Sequence, residues 1–389
     1  MRHGRRQFQP GVTSLEGRQL MSNTPLSTVA TFRGSNQSVV LGPVMDAQGD
    51  LFVTTSGGGQ GKGKADGAVF EIPAGTKKLT NLASFDDRAG SLISGVTLDD
   101  HGNLFGTISG QGGFIGNGSA FEIAAGSKTA TTVASFNDYA VDQYGSQFPP
   151  NGVVADSQGD LFGTAAIGGP KGTASAFEIP AGSAIPVSIA TFSGTAPAPK
   201  GLVMDAQGNL FGTNAGGGRS GIGSVYEIAK GSNAVTTLAT FNGLNGAGIS
   251  NVVIDGQGNL YGTTEDGGLF GDGTVFEIAK GSNTVTTLGT FDLTNGAFPD
   301  QSVGVTLDAQ GNLFGTTRSG GVNGDGTVFE IAKGSNTITT VANFTSTGQS
   351  LVSGLVADNQ GSLFGTTDGT GTAGGTVFKV NLNIPPAKK

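Results

Sequence analysis

The sequence predicts an all-β chain folded as a seven-bladed β-propeller of four-stranded antiparallel blades, with the ring closed by the N-terminal strand joining the last blade. Three observations predict it. One anchor, Asp-x-x-Gly-(Asn/Asp/Ser)-Leu-(Phe/Tyr), occurs seven times in 389 residues, starting at Asp46, Asp99, Asp156, Asp205, Asp255, Asp308 and Asp358. Its spacings of 53, 57, 49, 50, 53 and 50 residues mark a repeat architecture, with the variation belonging to loops. The chain also opens on an orphan copy of the repeat's final strand, at 28–32, and its seventh copy stops after three strands, near Val380. Joining those two pieces completes a seventh blade and removes the open sheet edges.

Each copy reads as four short strands, a to d. Strand a is the apolar run before the anchor, as at 201–204, and strand b begins with the anchor's Leu, as at 210–213. Strand c carries (Val/Ala)-(Phe/Tyr)-(Glu/Lys)-(Ile/Val), as at 275–278, and strand d follows at 285–288. These runs are β-branched and aromatic, bounded by Gly, Asn and Asp, and too short for helices. In the a–b connection the Asp carboxylate can accept nearby N–H groups while Gly supplies a positive φ that closes the turn.

Three aromatic columns run through the copies. The first ends the anchor, the second holds Phe70, Phe121, Phe177, Tyr226, Phe276, Phe329 and Phe378, and the third ends strand d at Phe32 and its six counterparts. Together they take 19 of the 24 Phe, so these rings are expected to be core. Four strands cannot bury both faces of a sheet alone, so the copies must stack, as propeller blades do.

The expected organisation is a leader over 1–24, the propeller over 25–382 and a tail over 383–389, acting as a monomer. A net charge of −8 argues against nucleic acid, which requires a basic stripe. The absence of Cys removes disulfides, thiolate metal sites and Cys nucleophiles, and is neutral about redox compartment. No apolar run approaches the roughly 18–20 residues that span a bilayer. Arg5-Arg6-Gln7-Phe8 superficially resembles a twin-arginine export signal, but the polar run 9–14 stands where an apolar region is needed.

Candidate sites have bland competitors. The seven anchor Asp could form a metal ring, yet turn capping explains all seven without a cofactor. Six strand-c Glu, from Glu71 to Glu330, form a second column whose seventh member is Lys379, which points to a solvated position. Residues 323–327 resemble the middle of an EF-hand loop, but Gly321 and Ala332 occupy the outer ligand positions, so the stretch reads as the repeat's Gly-Asp-Gly-Thr. Only His3 and His101 exist, which makes Ser–His–Asp chemistry improbable. Propeller lyases and lactonases use His or clustered Glu, Asn and Asp around a central metal, and no copy is expected to break its repeat by adding such a group on strand a. No catalytic residue, metal ligand or cofactor is therefore expected.

The a–b and c–d turns share one rim and are uniform. The b–c and d–a loops share the other rim and vary, which is where a rigid scaffold usually carries binding. Tyr139, Asp142, Tyr144 and Phe148 cluster in the longest inter-blade loop, and Glu265 and Asp266 fall on the same rim. These six are the candidate contacts for an unknown protein or glycan.

The run 258–268, continued by 271–276, resembles the GloVer tandem repeat, and seven matches carry the resemblance over about 26–380. Blades one to three depart most, with Val53 where Gly is usual. Phe8 and Pro10, followed by Leu15-Glu16-Gly17-Arg18, are similar to the LEPR-type leader of large extracellular bacterial proteins, with Gly17 as a departure. Together these resemblances imply a surface or secreted destination, and with no catalytic constellation in the sequence the expected protein is non-enzymatic, with a binding or envelope-structural role. The alternative is a lyase- or lactonase-type propeller with a metal near the central channel.

Overall fold

A computed structural model describes residues 26–33, 39–55, 67–85, 92–109, 118–136, 150–165, 173–193, 198–215, 222–300, 304–345, 354–368 and 373–382. The leader motif, the C-terminal tail and the four rim residues Tyr139, Asp142, Tyr144 and Phe148 lie outside these.

Among the described residues, thirty strands form seven antiparallel sheets. β1 (Ser27–Arg33) is the orphan strand. Blade one holds β2 (Val39–Met45), β3 (Leu51–Thr55), β4 (Ala68–Ile72) and β5 (Thr80–Ser84), and blade two holds β6 (Leu92–Leu98), β7 (Leu104–Ser109), β8 (Ser119–Ile123) and β9 (Thr131–Ser135). Blade three holds β10 (Pro150–Ala155), β11 (Leu161–Ala165), β12 (Ser175–Ile179) and β13 (Val187–Thr191). Blade four holds β14 (Pro199–Met204), β15 (Leu210–Asn214), β16 (Ser224–Ile228) and β17 (Thr236–Thr240). In blade five the inner strand is broken into β18 (Ala247–Ile249) and β19 (Val253–Ile254), followed by β20 (Leu260–Asp266), β21 (Thr274–Ile278) and β22 (Thr286–Thr290). Blade six repeats the break with β23 (Ala297–Pro299) and β24 (Val305–Leu307), then β25 (Leu313–Ser319), β26 (Thr327–Ile331) and β27 (Thr339–Asn343). Blade seven holds β28 (Val356–Ala357), β29 (Ser362–Thr367) and β30 (Ala373–Asn381), and β1 adds to it as the fourth strand.

Ring closure follows the expectation from sequence. β1 pairs antiparallel with β30, with Ser27 opposite Lys379 and Thr31 opposite Thr376. The inner strands touch one another in order around the ring, β2 with β6 and so on to β24 with β28, and β28 returns to β2.

Each turn column now has a physical cause. Asp255 Oδ1 accepts the N–H groups of Gln257 at 2.9 Å and Asn259 at 2.8 Å, and every anchor Asp makes the same two bonds. Gly258 closes the turn at φ 88°, where an L side chain would be strained. The Asn/Asp position then ties this turn to its neighbour, because Asn259 Oδ1 accepts Lys280 N of the c–d turn at 3.0 Å. Asp50, Asn103, Asp160, Asn209 and Asn312 do likewise in their blades.

The core is a ring of aromatic pairs. A strand-d Phe packs edge-on against the strand-c ring of the following blade, as Phe241 does on Phe276 with centroids 4.9 Å apart. Seven strand-d to strand-c pairs join the blades, six edge-on and one, Phe85 on Phe121, tilted at 48°, and Phe32 of β1 supplies the closing one against Phe70 at 5.3 Å. Strand-b glycines make room for these rings: a Cβ on Gly262 would sit 2.7 Å from Phe276 Cζ. Blade one carries buried Val53 at that position, and there Phe70 is more exposed than its six counterparts.

Two details differ from the sequence reading. In blade five, strand d begins at Thr286, not Val285, because a bulge between Val275 and Phe276 shifts the register so that Thr286 faces Glu277. The strand-c Glu are not freely solvated: most are half-buried and Glu330 is buried. Each stands opposite a strand-b aromatic, and Lys379 fits the column because its ammonium lies 5.2 Å above the Phe364 ring.

The channel wall and a candidate binding rim

In sequence, the residue preceding strand a's usual Gly differs from copy to copy, and the described ones on or beside the inner strands include Ser94, Asn151, Lys200 and Ser250. The expectation that no copy adds a His or a clustered Glu, Asn or Asp on strand a is corrected for Asn. Asn151 lies on β10, Lys200 lies on β14, and Asn251 replaces the Gly of blade five. Their hydrogen bonds join blades. Ser94 Oγ accepts Gly152 N at 3.1 Å, and Asn151 Nδ2 donates to Pro199 O at 2.6 Å. Thr164 Oγ1 donates to Lys200 O at 3.0 Å, and Lys200 Nζ donates to Ile249 O at 2.6 Å. Between blades one and seven the backbones approach closely: a Cβ on Gly42 would meet Gly354 O at 2.5 Å.

Behind this belt stands a column the sequence reading passed over, the Thr of Leu-(Phe/Tyr)-(Gly/Val)-Thr. It comprises Thr54, Thr107, Thr164, Thr213, Thr263, Thr316 and Thr366, all buried. Thr107 bonds Ser94 and Thr263 bonds Ser250, so this ring also serves the wall.

A charged network sits where the channel meets the variable-loop rim. Arg318, near the end of β25, donates from Nε and Nη2 to Asp300 Oδ2 at 3.0 and 2.8 Å, and from Nη1 to Glu265 Oε1 at 3.0 Å. Asp300 is 7% exposed. Burial pulls the Lys200 ammonium down to a pKa of about 8; Asp300 and Glu265 oppose that shift and Arg318 adds to it. Of the candidate contacts, Glu265 therefore belongs to a four-residue network spanning blades four to six. Asp266 is exposed at the end of β20, with its carbonyl accepting the Thr264 hydroxyl at 3.0 Å.

Sequence reading missed Lys200 and Arg318. A signal existed: five residues after each anchor Leu stand Ser56, Ser109, Ala166, Ala215, Glu265, Arg318 and Asp368, so charge enters only in blades five to seven, with alternating sign.

On the same rim, loops interlock in two consecutive copies. The loop 242–247 meets 267–273 through Gly268 N to Gly243 O at 3.1 Å, and 292–296 meets 320–326 through Gly321 N to Leu293 O at 2.7 Å. Gly267 bridges Asp272 just as Gly320 bridges Asp325, so the EF-hand-like stretch is the local form of the repeat. Asp292 caps its loop through the Thr294 hydroxyl and Asn295 N–H, which holds its carboxyl below the usual range.

The opposite rim has open grooves between blades. The groove between blades five and six encloses about 790 Å³ and is lined by Asp255, Tyr261 and Glu277 on one side and by the blade-six c–d turn on the other. Tyr261 OH lies 3.2 Å from Asp255 Oδ2 and 3.3 Å from Glu277 Oε1. Among the described residues, no three His, Cys, Asp or Glu side chains are grouped to hold a metal ion, and no helix is long and apolar enough to cross a membrane.

The chain resembles solved propeller structures in fold. It matches a puromycin-hydrolyzing peptidase of Mycobacterium tuberculosis at 11% identity and TM-score 0.59, covering 92% of this chain but 54% of that one. It also matches the periplasmic gluconolactonase PpgL of Pseudomonas aeruginosa at 17% identity and TM-score 0.52, covering 78% of this chain and 84% of that one. No curated protein matches in sequence. The model of the Gloeobacter/Verrucomicrobia repeat matches twice, over residues 19–199 and 198–384, which together take in the anchors, the aromatic columns and the closing strand. On that match the chain belongs to the Gloeobacter/Verrucomicrobia repeat family.

Proposed function

We propose that this propeller is a non-enzymatic binding protein of the bacterial envelope or exterior, working as a monomer and engaging its partner through the variable-loop rim. The division of labour among its polar residues carries this reading. Ser94, Asn151 and Lys200, on the inner strands, each make a hydrogen bond to the neighbouring blade. The rim of blades five and six instead presents rigid, interlocked loops ordered by the Arg318–Asp300–Glu265 network. A fixed scaffold with individual loops on one face suits recognition. The placement in the envelope draws on the leader motif and on the periplasmic gluconolactonase that shares the fold.

Grafting short uniform turns in place of 242–247, 267–273, 292–296 and 320–326 should abolish partner binding while the propeller still melts cooperatively. Unchanged binding would reject the rim. The rival, a lyase- or lactonase-type enzyme with a metal near the channel, draws on the same gluconolactonase fold. A stoichiometric divalent ion in purified protein, removed by chelation together with an activity, would favour that rival.

A further inference from the structure

Five large apolar side chains stand out on this rim: Leu244, Leu269, Phe270, Leu293 and Val322, between 54% and 86% exposed. They sit in the four interlocked loops of blades five and six, so one sector of one rim gathers most of the exposed large hydrophobics among the described residues. Such a gathering marks an interaction surface, whereas scattered single residues would not.

Leu293 is the most telling of the five. It adopts φ 65°, in the left-handed region, and remains exposed. The twin loop one blade earlier carries Gly243 at the matching place, with φ 83°. A leucine there strains the backbone while leaving more than half of its surface exposed, so folding gains little from it over glycine. Its apolar side chain has value only when something covers it.

The surrounding charge identifies the occupant. The four loops and their flanking residues carry Glu265, Asp266, Asp272, Asp292, Asp300 and Asp325; Arg318 and the neighbouring Lys200 offset Glu265 and Asp300, which leaves Asp266, Asp272, Asp292 and Asp325 as the net negative charge. Acidic flanks around apolar tips repel an anionic lipid surface and attract a cationic one. We infer that the blade five–six sector of the rim docks a protein segment in which Lys or Arg alternate with large apolar side chains. The basic groups face the carboxylates, and the apolar ones cover Leu269, Phe270, Leu293 and Val322. This rests on the rim reading above and names the chemistry of its partner.

The test uses the full chain and a photo-crosslinkable synthetic peptide of alternating Leu and Lys, beside a Leu/Glu peptide and phosphatidylcholine vesicles with and without phosphatidylglycerol. The Leu/Lys peptide should bind, crosslink to the four loops and weaken as salt rises. The double variant L269S/F270S and the single variant L293G should each weaken binding by about tenfold or more. The urea midpoint of L293G should not fall, which separates a docking role from a structural one. Equal binding of the Leu/Glu peptide, or of either vesicle, at those same loops would overturn the basic-segment inference and leave the rim reading standing. A Leu/Lys crosslink elsewhere, with both variants binding like wild type, would overturn both.

Discussion

Lys200 links the rim chemistry to the stability of the ring, and pH separates its charge from its packing. In the folded protein burial lowers its pKa from 10.5 to about 8. Below pH 8 the amine is protonated in both folded and unfolded chains, and the cost of keeping a buried ammonium is present in full. Between pH 8 and 10.5 the unfolded chain holds more protons than the folded one, so stability rises with pH there. At about 1.36 kcal/mol per pKa unit, this single group should add about 2.5 kcal/mol between pH 7 and pH 10. Lys200→Met keeps the length of the stem, removes the titration and leaves the other groups to titrate as before. Urea unfolding of both proteins at pH 7, 8, 9 and 10 should show the stability difference, wild type minus variant, climbing by about that amount. A difference that stays flat across the series would refute the buried, network-bound ammonium.

Other substitutions probe the remaining contacts. Phe32→Ala empties a site that is 1% exposed and removes the closing aromatic pair, so it should cost about 4 kcal/mol in urea unfolding, against less than about 0.5 for exposed Phe270→Ala. Arg318→Met leaves the Asp300 carboxylate buried without its guanidinium partner and should cost about 3 kcal/mol, visible as a lowered melting temperature. Asp308→Ala deletes the carboxylate that accepts Gln310 N, Asn312 N and Asn312 Nδ2, and should cost about 1–2 kcal/mol, with faster hydrogen exchange confined to that turn.

The repeat was legible because each copy solves the same local problem with the same chemistry. The Asp–Gly turn and the strand-d Phe are short-range or column-wise requirements, and a period of about fifty residues exposes them. The channel wall was not legible. Asn151, Lys200 and Asn251 act by reaching a neighbouring blade some fifty residues away, and no single copy shows what they touch. Glu265 was singled out as a rim acid, but its meaning depends on Arg318 one blade further on. Lys379 breaks the Glu column without marking a freely solvated position, because its ammonium lies over the Phe364 ring, a contact that the pattern of one copy does not show. Leu293 was invisible to pattern altogether, since its strain lies in a backbone angle.

The closed ring depends on one structural joint, the first strand completing the seventh blade beside β30. Hydrogen exchange followed by mass spectrometry measures that joint directly, in the native protein and without substitution. The β1 amides should be protected to the same degree as those of β9 and β17, the outer strands of blades two and four, and should open only with global unfolding. Exchange of 28–33 at the rate of a free peptide, with β9 and β17 protected, would contradict the closed ring.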